Sequence, residues 1–197
     1  MGSANLFFGE ANCVACHAVS GQSNEMFSDF RGHVIGVPQI APEPGNPAAG
    51  NVTFDGPAQN EDFGLEQITG NANDRYVFRT SPIRNCAVQP AFFHNGAFTR
   101  LEDAIRFHLD PATQALLYDP IAAGVDADLR GHLGPIAPVL ARLDPLMQTP
   151  RRLSTIEFDE LVEFVRNGLL VPRAKPENLR KLIPANVPSG RALHVFQ

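Results

Sequence analysis

Cys13-Val14-Ala15-Cys16-His17 is the stretch that decides how this chain folds. C-x-x-C-H is the attachment signature of a c-type haem, whose porphyrin forms thioethers with both cysteines and whose iron is bound by the histidine. On a helix, positions i, i+3 and i+4 share one face, so Cys13, Cys16 and His17 can approach a flat ligand from the same side. The motif therefore predicts one covalent haem c on a short amphipathic helix, with His17 as an iron ligand.

Two other sites use a C-x-x-C pair: a thioredoxin-like dithiol and half of a zinc site. No βαβ pattern surrounds this pair, and the sequence has neither a second C-x-x-C nor an H-x-x-x-H to complete a tetrahedral zinc shell. The chain's third cysteine, Cys86, has no partner left for a disulfide, which predicts a small buried apolar residue.

Composition indicates one mainly α, cytochrome c-like domain with long ordered loops. The chain has 197 residues, 44% of them hydrophobic, which is enough for one sizeable core. Its 17 prolines and 16 glycines are many for a helical protein, and they predict that much of the chain runs as loop around the cofactor. The net charge is −5, and the basic residues form no cluster longer than a pair such as Arg151-Arg152, so nucleic acid is not an expected partner.

The sequence predicts no transmembrane segment, because no run approaches 18 apolar residues. The N-terminus also lacks the charged and apolar regions of a signal peptide. Covalent haem attachment normally takes place outside the bacterial cytoplasm, so we expect a periplasmic or otherwise extracytoplasmic protein, with the signal peptide not present in this chain.

A helix is predicted from Thr99, with a capping box of Thr99 and Glu102, to the Asp110-Pro111 stop. Its apolar face holds positions i, i+3, i+4 and i+7, the last of which is His108. A buried imidazole needs a hydrogen bond or a metal. A histidine satisfied within the core is the ordinary alternative, but the nearby iron favours His108 as a second axial ligand.

A second capping box, Ser154 and Glu157, predicts a helix that ends at Asn167-Gly168. Its core face is Phe158, Leu161, Val162 and Val165. A shorter helix is expected over residues 139–146, and residues 20–75 read as loop because Gly, Pro, Asn and Asp dominate them. With these elements we divide the chain into a haem domain, residues 1–170, and an extended C-terminal tail, residues 171–197, packed on the domain or on a partner.

Three ordered motifs carry a resemblance to a known family: Arg79-Thr80-Ser81-Pro82-Ile83-Arg84-Asn85, then Pro90-Ala91-Phe92-Phe93-His94-Asn95-Gly96-Ala97-Phe98, then Leu101-Glu102-Asp103-Ala104. This pattern resembles the bacterial dihaem cytochrome c peroxidases, a family that also contains the enzyme maturing the tryptophan-derived cofactor of methylamine dehydrogenase. The resemblance covers roughly residues 5 to 170 and implies the C-terminal haem domain of that family.

The resemblance implies that the second axial ligand comes from the helix after the His94-Asn95-Gly96 element, at His108 in this chain. Family members have Met or Tyr at that point, so His108 is a departure that suggests a bis-histidine iron. Imidazole is a harder and more basic donor than thioether and should lower the reduction potential. The family also implies that His94 orients a propionate or a loop, and that main-chain carbonyls of Gln89 and Ala91 contribute to a calcium site.

The remaining candidates around the haem are arginines, methionines and loop histidines. Arg79 and Arg84 have planar donor forks suited to haem propionates, although surface arginines are the ordinary alternative. Met26 and Met147 are alternative axial ligands, although methionine more often fills gaps in a core. The loop histidines, expected on the surface, are His33, His132 and His194.

Electron transfer is the function that these observations favour, with an N-terminal haem domain or another redox protein as the partner. A six-coordinate iron has no site for peroxide, and no Glu or Gln can be placed over the haem as an acid–base group, so no catalytic residue is assigned. The alternatives are a stand-alone peroxidase that reduces hydrogen peroxide after His108 swings away, and an accessory haem subunit of a larger redox complex.

Overall fold

The computed structural model describes residues 2–21, 25–41 and 54–192. Within these ranges helices dominate the fold, as the sequence predicts. The α-helices are α1 (Ser3–Phe8), α2 (Glu66–Thr69), α3 (Leu101–Leu109), α4 (Pro111–Leu116), α5 (Ala137–Leu140), α6 (Thr155–Glu163) and α7 (Pro176–Leu179), and the strands are β1 (Gly32–His33), β2 (Ile40–Ala41), β3 (Phe78–Arg79) and β4 (His132–Leu133).

Helix α6 packs against α1 and α3 to form the first part of the core. The predicted face of α6 is buried, and it meets Phe7 of α1 together with Leu101 and Leu109 of α3. The second part of the core lies on the other side of α3, where Phe107 is fully buried against Phe98. Phe107 does not belong to the predicted apolar face of α3, but both sides of this helix are covered.

The two predicted capping boxes have different outcomes. At α6 the Ser154 hydroxyl accepts the backbone N–H of Glu157, and the Glu157 carboxylate accepts the backbone N–H of Ser154, as predicted. The capping box at Thr99 is wrong: α3 has Arg100 as its N-cap, and the Thr99 hydroxyl donates to the Ala123 carbonyl at 2.9 Å. Because the Thr99 side chain makes this tertiary hydrogen bond, it does not cap the helix.

The cap at α6 gives a stability prediction. We expect Ser154→Ala to lower the free energy of unfolding by about 1 kcal/mol, because it removes the acceptor for an orphan helix N–H and the partner of Glu157. Ser20→Ala, at an exposed serine outside any helix, is the matched control. Chemical denaturation of both variants measures the effect, and equal stabilities would contradict it.

Residues 20–75, which the sequence predicts as loop, contain short strands that pair with other parts of the chain. Strand β1 pairs antiparallel with β3, and β2 pairs antiparallel with β4. Residues 66–69 also form α2, so the loop assignment for residues 20–75 holds only in part, while residues 22–24 and 42–53 lie outside the described ranges. The pairing of β1 with β3 brings Phe78 and Arg79 beside the segment that follows the C-x-x-C-H motif.

Two further predictions about elements need correction. Instead of one helix over residues 139–146, the chain forms α5 and a separate 3₁₀ turn, Pro145–Met147, because Asp144 has a non-helical ψ of 138° and its side chain caps the turn. The tail is not extended, because its described part contains α7 between two 3₁₀ turns, Pro172–Ala174 and Arg180–Leu182. None of the helices in the described ranges has the length and apolar character needed to cross a membrane.

Candidate haem site

The C-x-x-C-H motif forms a tight turn rather than the predicted helix. Helix α1 ends at Phe8, and Asn12 has a positive φ of 53°, which separates α1 from a 3₁₀ turn at Cys13–Ala15. The backbone N–H of His17 nevertheless bonds to the Cys13 carbonyl at 2.9 Å, as in one turn of α-helix. The two thiols and the imidazole therefore still face the same space.

That space is a cavity of about 510 Å³ between the motif and helices α3 and α6. Its volume lies in the range of about 300–1,000 Å³ that is usual for cofactor pockets. The lining is mainly apolar, and it brings together the predicted anchors Cys13, Cys16, His17 and His108. Residues more than 90 positions apart in sequence thus share one site.

His17 is held with one ring nitrogen turned to the cavity. Its Nδ1 donates to the carbonyl of Phe27 at 3.0 Å, which leaves Nε2 as the nitrogen with a free lone pair. Burial, together with the nearby His108, lowers the pKa of His17 to about 4. The ring is therefore neutral at pH 7, which is the form that binds metals.

His108 repeats this arrangement from the opposite wall. Its Nδ1 donates to the Ala104 carbonyl one turn earlier in α3, at 2.8 Å, and its ring stacks on Phe93 with centroids 5.1 Å apart. Burial lowers the pKa of His108, so this imidazole is neutral as well. Both contacts fix the ring orientation with Nε2 available.

The spacing of the two rings fits a single metal between them. The ring centroids of His17 and His108 are 6.2 Å apart, with planes inclined by 61°. Two imidazoles bound to one metal from opposite sides, with nitrogens about 2.0–2.1 Å from it, would have centroids about 6 Å apart. The residues present therefore fit an iron held from both faces.

The two thiols lack the character of a redox-active dithiol. Burial raises the pKa of Cys13 to about 12 and that of Cys16 to about 11. A thioredoxin-like pair needs a lowered thiol pKa, since the thiolate is the nucleophile. The raised pKa values therefore disfavour the dithiol alternative.

The polar groups of the cavity suit an anionic ligand. The described lining contains three arginines, Arg79, Arg84 and Arg151, and no aspartate or glutamate. Arg84 donates to the Glu25 carbonyl at 3.1 and 3.3 Å, and Arg79 lies 5.6 Å from the ring centroid of Phe30. A haem brings two carboxylates, so this excess of positive charge complements its propionate edge.

Arg151 is the cavity arginine that sequence reasoning missed. Its backbone N–H bonds to the Leu109 carbonyl at the end of α3, at 2.7 Å, which places it beside the His108 wall. No local pattern marks this residue, because the contact joins segments more than 40 positions apart.

The His94-Asn95-Gly96 element fastens a loop at the cavity wall. The Asn95 side-chain amide donates to the Pro38 carbonyl at 2.8 Å, and its oxygen accepts the backbone N–H of Ala97. The His94 ring stacks on Phe78 with centroids 3.5 Å apart and lines the cavity, and burial lowers its pKa to about 4. These contacts suit a loop-orienting residue, and its role toward a propionate stays a prediction.

Gln89 and Ala91, the residues predicted for calcium, are exposed and line the cavity. The calcium site stays a prediction. Gln89 lines the cavity, whereas the sequence offered no Glu or Gln that could be placed over the haem as an acid–base group. A side-chain amide is not an acid–base group at neutral pH, so Gln89 does not supply the missing catalytic function.

The surface assignment of the loop histidines is wrong for His33, whose side chain is only 12% exposed and lies between two carboxylates at the cavity. His132 is half-buried in β4, with its Nδ1 buried and unpartnered among the described residues, and His194 lies outside the described ranges. Of the alternative ligands, Met147 lines the cavity, whereas Met26 is 39% exposed.

Cys86 differs from the prediction as well, since it is half-buried rather than buried and its side chain lines the cavity. Burial raises the pKa of its thiol to about 11, which keeps it protonated.

Comparison with known proteins gives related haem peroxidases. A cytochrome-c peroxidase of Pseudomonas sp. (strain SCT) is 30% identical over 115 residues, covering 52% of this chain and 29% of that protein. A cytochrome c551 peroxidase of Nitrosomonas europaea is 33% identical over 104 residues, covering 51% of this chain and 24% of that protein. No protein-family model matches the chain.

Solved structures give the same result. The dihaem peroxidase BthA of Burkholderia thailandensis aligns over 87% of this chain and 42% of its own, with a TM-score of 0.55 and 25% identity. A MauG-like protein associated with microbial copper homeostasis shares the fold over 89% of this chain and 48% of its own, with a TM-score of 0.55 and 19% identity. The matched region covers less than half the length of each of these relatives.

Proposed function

We propose that this chain, a match to the dihaem cytochrome c peroxidase family as its motifs predicted, transfers electrons through one covalent haem c. Cys13 and Cys16 would hold the porphyrin, and His17 and His108 would bind the iron. One observation carries the proposal: two neutral imidazoles, each fixed by an Nδ1 bond to a backbone carbonyl, face each other at 6.2 Å.

The arrangement of the chain suits one-electron exchange better than peroxide chemistry. Bound haem iron supplies reversible one-electron redox chemistry. His17 and His108, each held by an Nδ1 hydrogen bond to a backbone carbonyl, would both bind the iron and would leave no coordination site for a substrate oxygen. The imidazole of His108 in place of the family's thioether or phenol would give this site a potential below that of a His–Met haem.

We also propose a class of partner and a cellular location for this chain. A second haem domain or a separate redox protein would exchange electrons with this site, outside the cytoplasm. Residues 1–170 would form the haem domain and resemble the C-terminal domain of the family. Asn85 would connect the tail to this domain, since its backbone N–H bonds to the Leu169 carbonyl and its side chain accepts the N–H of Val171.

The tail would serve partner docking. Residues 171–197 carry five of the chain's 16 basic residues and one of its 21 acidic residues, although the chain is acidic overall. The apolar side chains of Leu179, Leu182 and Ile183 are exposed between these charges. Such a segment complements an acidic, partly apolar surface, and the salt dependence of electron exchange reports this contribution.

Spectroscopy and turnover of the haem-loaded chain test the proposed function. We expect a low-spin ferric signal in the optical and paramagnetic-resonance spectra, reversible reduction, and little reduction of peroxide by a reduced donor. Rapid peroxide turnover would contradict electron transfer and favour the stand-alone peroxidase. A low-spin haem that exchanges no electrons with small redox mediators would instead favour the accessory subunit.

A further inference from the structure

His33 is enclosed by two carboxylates at the edge of the haem cavity. Its Nδ1 lies 2.8 Å from the Asp144 carboxylate, and its Nε2 lies 3.0 Å from the Asp29 carboxylate. A neutral imidazole has only one N–H, whereas a carboxylate offers only acceptors, so both contacts are satisfied only by the doubly protonated ring. The side chains are 12%, 15% and 21% exposed for His33, Asp29 and Asp144, respectively. We call this group the His33 clamp.

The clamp lies beside Cys16 and near the residue that orients His17. The Asp29 and His33 ligand atoms lie within 4.8 Å of the Cys16 sulfur, and the backbone N–H of Asp29 bonds to the Cys16 carbonyl at 2.8 Å. Two residues before Asp29, the Phe27 carbonyl accepts the hydrogen bond that orients His17. The clamp therefore places fixed charges beside one thioether position.

The clamp also joins the cavity to a distant segment. The backbone N–H of Asp144 bonds to the Val34 carbonyl at 2.9 Å, and the second oxygen of its carboxylate accepts the N–H of Leu146. Leu146 lines the cavity. Hydrogen bonds from three segments of the chain thus hold the three charged side chains in place.

We propose that the His33 clamp is a charge cluster that sets the reduction potential of the haem. The inference rests on the proposed function. One cation and two anions give the clamp a net charge of −1 beside the Cys16 sulfur and largely shielded from water, where charges interact more strongly than at the surface. The carboxylates would favour a ferric iron in the cavity, and the imidazolium would favour a ferrous iron. His33, Asp29 and Asp144 are thus positioning and tuning residues, alongside the arginines that face the same cavity.

Two substitutions in the clamp should shift the potential in opposite directions. His33→Gln leaves two carboxylates without the cation and should lower the midpoint potential. Asp144→Asn removes one anion, keeps the acceptor for the N–H of Leu146, and should raise it. A redox titration of the haem-loaded full-length chain measures both shifts, and His132→Gln, a histidine outside the cavity lining, should leave the potential unchanged.

The two readouts separate the tuning role from the proposed function. Shifts in the same direction, or none in either variant while the ferric spectrum stays low-spin, would overturn the tuning role. If His33→Gln does not fold, the upward shift in Asp144→Asn decides the outcome. A parent chain without covalent haem or without a low-spin signal would contradict the proposed function instead.

Discussion

Replacing Cys13 and Cys16 together by alanine is expected to abolish covalent haem. Both side chains line the cavity and each supplies one thioether, so the parent should keep its haem through denaturing electrophoresis and acid–acetone extraction. Intact mass should show one haem per parent chain, since the sequence holds a single C-x-x-C-H. Haem staining of the double variant should be lost.

The same variant should also lose its fold when haem is extracted. The cavity of about 510 Å³ is lined mainly by apolar side chains from the motif, α3 and the segment at α6. Without haem these side chains lose their packing partner and are exposed to water, which lowers the stability of the core. Circular dichroism of the extracted double variant should therefore show a loss of helix.

Cys86→Ala is the matched control, because Cys86 is a third half-buried cysteine that lines the same cavity. It should keep covalent haem and its helical signal. Haem that survives acid–acetone extraction in the double variant, or a Cys86→Ala protein without haem, would show that the attachment has been assigned to the wrong thiols.

His108→Ala is expected to convert the ferric iron from low-spin to high-spin. The substitution removes the imidazole that faces His17 across the cavity. The Ala104 carbonyl, which accepts the hydrogen bond of His108, cannot take the place of that ligand. An iron with an open axial position should then bind cyanide or imidazole much faster than the parent. Paramagnetic resonance and stopped-flow mixing measure the two effects.

His94→Ala provides the comparison, since His94 is the other neutral imidazole at the cavity wall, stacked on Phe78 rather than facing His17. We expect this variant to stay low-spin. A low-spin spectrum in His108→Ala would count against His108 as the ligand, and a switch to high-spin in His94→Ala would point to His94. Met147, which also lines the cavity, would be the next residue to replace in the first case.

Prediction from sequence succeeded where one local pattern controls the result. Helix α6 has its capping box at Ser154 and its whole predicted face buried, because capping and periodicity act over one or two turns of the same helix. His108 lies on the cavity wall because its position in α3 follows from that periodicity. The family motifs likewise predicted the relationship that the comparisons confirm.

Prediction failed where a distant segment competes for the same group. The Thr99 hydroxyl has the right spacing for a cap, but it bonds to Ala123, which lies in a turn formed after the helix. Gly124 permits this approach, since a Cβ at its positive φ of 76° would lie 2.4 Å from the Thr99 hydroxyl oxygen. His33 was assigned to the surface because the sequence does not show that Asp144 returns to it.

The sequence by itself determined the chemistry of this protein: two thiols and an imidazole in one turn, a histidine on the inner face of a helix, and the motifs of a peroxidase family. The tertiary structure alone decided how those groups are arranged. It brought Arg151 to the cavity, enclosed His33 between carboxylates, and set His17 and His108 at 6.2 Å. The physical reason is range, since side-chain periodicity acts along a few turns of chain, whereas burial and charge pairing depend on segments that meet only in the folded core.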